Sequence, residues 1–384
     1  MKETAFFWRR TDAALWLSVC AAVLFGCLLI ASMQRSGDYN YLRPQLAAAA
    51  AGLALAVLLG KADYRCLADR WYIAAGAALL LTAAVFLFGM RVSGTDDTAW
   101  LVLPLGLTVQ PSEFVKLCFI LTFAKHLSVL RGKNALRRPW GVMSLAAHVL
   151  LPVAAIHLQG DDGAALIFLL MAAAMASAAG IPRRCFAVLG GGLLAGLPLL
   201  WAFFLNGEQR SRLSALFDPD GSAMTNYGWQ QYQAKLSLAC GELYGSGLFH
   251  GARVGCGIVP EQENDFILTV AGEELGFFGC LPILLLLLWI LLRILRAMRL
   301  TRDFCGRCVC CGVFALIASQ AVINLGMVLG FLPVIGVTLP FFSAGGSSLL
   351  SVLAAVGLAQ SVNYHNDTDL HTARLRQAKN RIRL

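Results

Sequence analysis

The sequence predicts an all-α fold: a polytopic membrane bundle of about ten transmembrane helices, with a large external loop between spans seven and eight. Three observations carry this expectation. Of 384 residues, 58% are hydrophobic and only 14% charged, a balance too apolar for a soluble domain. The apolar residues fall in runs close to the ~20 residues a helix needs to cross a bilayer. The basic residues gather in the short segments between those runs, and unevenly by side. A net charge of +9 invites a nucleic-acid reading. No basic surface interleaved with aromatics is visible, so nucleic acid is excluded as a partner and membrane lipid is expected.

In chain order the spans are roughly 13–33, 45–61, 71–90, 112–130, 142–158, 163–181, 185–205, 266–296, 306–331 and 346–363. The first is long enough to cross and is not followed by a small-residue cleavage site, so it reads as a span and not a cleaved signal. Spans five and six are parted by Gln159-Gly160-Asp161-Asp162-Gly163, where Gly and Asp favour a tight turn between two short helices. The other side keeps Arg35, Arg43, Arg91, Arg210, Arg212, Lys235 and Arg253, and Lys116 lies inside span four. The remaining Lys and Arg fall on one side, which the positive-inside rule makes cytoplasmic along with both termini. A multi-pass plasma-membrane protein is expected, with residues 1–384 as one domain.

Residues 206–265 form the external loop. Within it, 229–238 read as a helix lying at the interface, with Trp229 and Tyr232 at headgroup level. Residues 366–384 read as a basic cytoplasmic tail near anionic lipid. There are twelve cysteines. Cys305, Cys308, Cys310 and Cys311 have no second pair or His pair nearby, so they read as reduced structural thiols and not a metal site. Cys240 and Cys256 share the external loop and could form a disulfide.

The most polar stretch is Val259-Pro260-Glu261-Gln262-Glu263-Asn264-Asp265-Phe266. Asp265 stands where hydrophilic loop becomes hydrophobic helix. A carboxylate there loses hydration, which raises its pKa and makes it a better base. Glu261 and Glu263 read as capping and pairing groups. Glu273 and Glu274 lie two turns deeper and must face protein or a wet cavity; Glu274 is expected to be functional beside Asp265.

Three further features share the outer side. Gln110-Pro111-Ser112-Glu113 opens span four, with Ser112 as a candidate helix cap. Glu113 and Lys116 sit three apart on one face and can pair. A lysine inside a span needs a carboxylate, and Asp265 or an anionic substrate could also supply its partner. Asp161 reads most simply as a turn residue. Finally, 339–348 predict non-helical backbone at membrane depth, tolerated where protein buries it or it lines a cavity. The N–H groups of Gly345, Gly346 and Ser347 at a helix start would suit a phosphate; serine capping is the level alternative.

Four motifs carry a resemblance. They are Gln110-Pro111-Ser112-Glu113-Phe114-x-Lys116-Leu117, Asp265-Phe266-Ile267 with Glu273-Glu274-Leu275-Gly276, Asn324-x-Gly326, and Gly336-x-Thr338-Leu339-Pro340-Phe341-x-Ser343-x-Gly345-Gly346-Ser347-Ser348. Together they resemble the SEDS (FtsW/RodA/SpoVE) family over nearly the whole chain from span two onward. The resemblance implies a ten-helix bundle and a peptidoglycan glycosyltransferase that polymerises lipid II into glycan strands in division, elongation or sporulation. It also implies a class B penicillin-binding protein as crosslinking partner. Asp265 then matches the family's essential aspartate, Gln159-x-Asp161-x-Gly163 its Gln-Pro-Asp-x-Gly-Thr turn, and Trp100 a tryptophan before span four. Ala99 stands where Arg is frequent, Gly160 for Pro, Ala164 for Thr, and Glu263-Asn264 for His-Thr. These departures bear on donor-side contacts and leave Asp265 in place.

The chemistry follows from the residues as well. Joining two lipid-linked sugars needs a base for the incoming hydroxyl and a counter-charge for the departing diphosphate. Asp265 is the expected base for the acceptor's 4-hydroxyl, a role worth typically ~10²–10⁴-fold. Lys116 and Arg210 or Arg212 are the candidate cations, with a divalent ion (Mg²⁺ or Mn²⁺) as candidate cofactor. Gln110, Glu113, Trp100, Asp161, Glu274, Ser343 and Ser348 complete the expected substrate-facing set. One carboxylate without a covalent partner favours single displacement with inversion. Two other readings stay open: a flippase or transporter of lipid-linked precursor, suggested by the intramembrane charges, and a silent scaffold for a transpeptidase, suggested by Ala99 and Ala164.

Overall fold

The computed structural model describes residues 7–8, 10–34, 40–90, 98–102, 108–199, 201, 207–214, 216 and 226–382, without the side chains of 189, 193, 197, 199, 208, 226, 227 and 367–382. Every predicted span contains a helix. In order these are α1 (Ala13–Met33), α2 (Leu42–Lys61), the short α3 (Tyr64–Asp69), α4 (Trp71–Phe88), α5 (Pro111–Gly132), α6 (Pro139–His157), α7 (Asp162–Ala178) and α8 (Arg183–Leu199). The long loop carries α9 (Gly207–Ser214), α10 (Asn226–Gly241) and α11 (Ala252–Gly255); α12 (Ile267–Leu300), α13 (Phe304–Val328) and α14 (Gly346–Ile382) follow. A small antiparallel ribbon, β1 (Leu101–Val102) with β2 (Thr108–Val109), lies between α4 and α5.

Among the described residues, α1, α2, α4, α6, α12, α13 and α14 are long and apolar enough to cross a membrane. The predicted spans at α5, α7 and α8 fall outside that group. α5 carries Glu113, Lys116, Lys125 and Arg131, and α7 and α8 have 17 residues each. Local signals set the helix starts. Asp12, Asp63, Asp161 and Asp303 cap α1, α3, α7 and α13 by accepting from backbone N–H groups, as short acidic side chains do best. Pro111 and Pro139 open α5 and α6, where a missing N–H costs nothing.

α13 and α14 form the centre, with most of their membrane-spanning stretches buried, whereas α4 and α6 are peripheral. Leu79, Leu80, Leu87 and Phe88 of α4 are exposed, a face suited to lipid. α14 packs along α2 at van der Waals distance of the backbone. A Cβ added at Gly357 would lie 2.6 Å from the Ala56 carbonyl oxygen, so only glycine fits there. At the end away from the long loop, Arg293 of α12 donates to both Asp12 oxygens at 2.7 and 2.8 Å. Gln360 of α14 brackets the Asp12 backbone, donating to its C=O and accepting from its N–H, both at 2.9 Å. One cap thus ties α1, α12 and α14.

Two expectations need correction. The eighth span is not one continuous helix: Gly276 breaks α12 with φ 65° and ψ −159°. The N–H groups freed there are satisfied by the loop, Phe277 donating to the Glu242 carbonyl at 2.9 Å and Phe278 to that of Leu243 at 3.2 Å. Irregular backbone at this depth survives because protein supplies the partners. Secondly, all twelve cysteines are free thiols, Cys240 and Cys256 included, so the loop disulfide does not form. The expected interfacial helix is present as α10, with Trp229 and Tyr232 exposed and Gln231, Gln233 and Ser237 buried. The predicted tail continues α14 to Ile382; its side chains from 367 on lie outside the described residues.

Candidate active site

Asp265 ends a tight turn that launches α12. Glu261, held at φ 54°, turns the chain so that its carbonyl accepts from the N–H groups of Asn264, Asp265 and Phe266 at 3.1, 3.1 and 3.3 Å. The non-helical segment 331–345 then crosses this turn. Ala344 N–H donates to the Glu263 carbonyl at 2.8 Å, Ser343 Oγ donates to that of Asn264, and Asn324 Nδ2 donates to that of Asp265 at 2.7 Å. Three successive carbonyls are therefore pinned. The Asp265 carboxylate is half-buried and lies over Gly336, where an added Cβ would sit 3.9 Å from Oδ2.

Burial drives the Asp265 pKa up to about 7, reinforced by the charges of Glu261 and Glu263 and opposed by Arg212 of α9. Desolvation and like charge both disfavour the carboxylate form. The result is a group half-ionised near neutral pH, where a general base works best.

A second wall stands across the same segment. Asp161 Oδ1 accepts from the Ala164 N–H at 2.9 Å, capping α7. Its Oδ2 accepts from Gln110 Nε2 at 2.6 Å and Ser112 Oγ at 3.1 Å. Burial raises the Asp161 pKa, partly offset by the Ala164 N–H, Lys116 and Ser112. Gln110 N–H donates to Ser347 Oγ at 3.1 Å, and Ser348 shares a hydrogen bond with Thr338 at 2.8 Å. A Cβ at Gly163 would lie 2.4 Å from the Ile335 carbonyl oxygen. The segment 335–348 thus touches the Asp265 turn on one side and the Gln110–Asp161 wall on the other.

The chain matches the family described as a cell cycle protein, FtsW/RodA/SpoVE, over residues 10–368. It belongs to the FtsW/RodA/SpoVE family. It is 35% identical to a probable peptidoglycan glycosyltransferase FtsW of Thioalkalivibrio sulfidiphilus, covering 94% of this chain and 90% of that one. It is 28% identical to the peptidoglycan glycosyltransferase MrdB of Escherichia coli K12, over 94% and 95%. Among solved structures it is similar to a chain of a peptidoglycan synthase complex that coordinates polymerization and crosslinking, at TM-score 0.79 and 31% identity, covering 94% and 99%. The crystal structure of the rod shape determining protein RodA of Thermus thermophilus superposes at TM-score 0.68 with 30% identity, over 94% and 98%.

Within this FtsW/RodA/SpoVE chain, several expected substrate-facing residues are bonded to other protein groups. Lys116 is 1% exposed and bonds Glu113 Oε1 at 2.7 Å, while Ser351 Oγ donates to Glu113 Oε2 at 2.8 Å. Of the partners the sequence left open for Lys116, the structure shows Glu113, the one that three-residue spacing on α5 offers. Ser112 does not cap α5; its hydroxyl serves Asp161. Glu274 accepts from Ser32 Oγ and the Gly251 N–H, and Glu273 from the N–H groups of Arg253 and Val254. Both carboxylates fasten the 246–254 loop, which differs from the functional role expected of Glu274. Trp100 bridges to Met90 through backbone beyond α4. Gly345 N–H is taken by Gln45 Oε1 at 3.2 Å, which removes it from the phosphate-binding set. Arg210 and Arg212 lie together on α9, Arg212 near enough to act on Asp265.

Of two further residues of the site, Gln45 escaped the sequence reading and Asn324 entered it only within the Asn324-x-Gly326 motif, with no role assigned. Gln45 of α2 donates to the Ser343 carbonyl at 3.0 Å while receiving Gly345, and Asn324 of α13 holds Asp265. The signal was available: a lone amide inside an apolar span needs a partner within the protein. Among the described residues, no three His, Cys, Asp or Glu side chains converge to hold a metal ion.

Proposed function

We propose that this chain is a membrane peptidoglycan glycosyltransferase that polymerises lipid II into glycan strands. The observation that carries this reading is the Asp265 carboxylate, half-buried, poised near neutrality and fixed at the loop end of the bundle beside a non-helical wall. The relatives' printed activities agree with it.

The reaction runs as one displacement. Asp265 takes the proton from the acceptor sugar's 4-hydroxyl as that oxygen attacks the donor's anomeric carbon. The bond to the lipid diphosphate breaks, and the configuration inverts. Arg212, with Arg210 beside it on α9, supplies positive charge for the leaving diphosphate. Lys116 acts at one remove, through Glu113 and Asp161. Among the described residues no carboxylate cage converges, so an Mg²⁺ or Mn²⁺ ion would be held mainly by substrate phosphates. The loop end faces outward, with both termini cytoplasmic, as the distribution of Lys and Arg suggests. A class B penicillin-binding protein is the proposed partner, in line with the polymerization and crosslinking of the similar complex.

The test is reconstitution of the purified protein with labelled lipid II, with and without such a transpeptidase. Polymer made by the native chain and abolished in folded Asp265→Asn is the expected result. Lipid II crossing vesicle membranes with no polymer formed would favour the transporter reading instead.

A further inference from the structure

We propose that Asn324 is a positioning residue for Asp265, a single buried amide that sets where the catalytic carboxylate stands relative to the 331–345 wall. The inference rests on the glycosyltransferase reading for its activity arm only.

The geometry is specific. Asn324 is fully buried on α13, one turn before its end at Val328. Its Nδ2 donates two hydrogen bonds, to the Asp265 carbonyl and to the Val337 carbonyl, each at 2.7 Å. Both protons of one –NH₂ group are therefore used, and they join two pieces of irregular backbone, one at Asp265 and one at Val337. Val337 is next to Gly336, the residue over which the Asp265 carboxylate lies, and Gly336 adopts φ 68°. The amide thus fixes both the carboxylate's own backbone and the floor beneath it.

The other half of the amide argues against a purely structural role. Asn324 Oδ1 is buried with no hydrogen-bond partner among the described residues. A leucine of similar shape would leave no such orphan acceptor, and packing alone would favour it. What leucine lacks is the pair of donors. Ser343 and Ala344 already tie the neighbouring Asn264 and Glu263 carbonyls to the wall. Asn324 adds the bond nearest the reacting oxygen, where a displacement of about 1 Å can lower a rate by roughly a hundredfold.

The experiment compares Asn324→Ala and the milder Asn324→Ser, whose hydroxyl can donate only one bond, with the native chain. In lipid II polymerisation, Asn324→Ala is expected to lower kcat by about tenfold or more with KM within about threefold. The acid limb of the pH–rate profile is expected to move below 7 as the freed carboxylate gains water, with Asn324→Ser between the two. A second readout needs no substrate. Thermal midpoints at pH 8 are measured for the native chain, Asp265→Asn, Asn324→Ala or Asn324→Ser, and the matching double variant. Coupling between the two positions is expected. Additive midpoints, or activity loss that only tracks stability with an unmoved pH limb, would overturn the proposal. A native chain inactive on lipid II would sink the glycosyltransferase reading, while the midpoints would still decide whether Asn324 positions Asp265.

Discussion

At the residue scale, the decisive balance is between hydration and charge at Asp265. Its pKa near 7 arises because protein covers the carboxylate and Glu261 and Glu263 repel it, more than Arg212 attracts it. Activity is therefore expected to climb as pH rises through about 7, and Asp265→Asn to lower the polymerisation rate by ~10²–10⁴-fold in a protein that still inserts and folds. Stability runs the other way. An ordinary aspartate ionises near ~3.9 in the unfolded chain, below its folded value, so the folded state binds the extra proton between the two and loses stability as pH rises through that window. Asp265→Asn should thus melt higher than the native chain above pH 7 and the two should converge below about pH 4, a comparison that thermal scans in detergent across pH will check.

At the element scale, the broken α12 and the 331–345 segment form the site, and each depends on positive-φ glycine. Gly276→Ala forces a side chain into an unfavourable region and within 2.5 Å of the Gly245 nitrogen. It is expected to cost about 1–3 kcal/mol or more, read as a lowered thermal midpoint together with faster proteolysis of the 242–254 loop. Glu274→Gln weakens the bonds from Ser32 and Gly251 and should destabilise by about 1–3 kcal/mol, again by thermal midpoint, with a smaller effect on rate per folded molecule than Asp265→Asn. The sequence made this region partly legible. Asp265 at a polar-to-apolar boundary and the Gly-Gly-Ser-Ser start of α14 were visible as signals. The Glu113–Lys116 pair was readable from its three-residue spacing, whereas the partners of Asp161 and Glu274 were not, because only folding brings Gln110, Ser112, Ser32 and the Gly251 N–H to them. Glu274 looked functional by the expense of a buried charge. That expense is met by loop N–H groups, which no hydropathy pattern displays.

At the scale of the whole molecule, the bundle is held at both ends by polar ties around an apolar middle. The far tie is Asp12 with Arg293 and Gln360. Asp12→Ala removes a helix cap and leaves the guanidinium unpaired, and about 2 kcal/mol or more of stability should go with it. Rate per folded molecule should stay unchanged, because the tie lies at the opposite end from Asp265; circular dichroism melting alongside lipid II turnover separates the two. A helix in each predicted span was readable from the apolar runs, and seven of these helices, among the described residues, have the length and hydropathy that a bilayer demands. The interruption at Gly276 was hidden, because the apolar run resumes directly at Phe277 and only the φ angle of Gly276 marks the break.

That interruption has a mechanical meaning. The two turns between Asp265 and Gly276 are not the top of a rigid rod but a separate stub, gripped laterally by α10, the loop and the crossing wall. When the bilayer thins or thickens, a long transmembrane shaft tilts to keep its apolar length covered. Here the Phe277 and Phe278 N–H groups tie the junction itself to the loop, so the station of the proton-accepting oxygen is set by stub and loop and not by the direction of the shaft below.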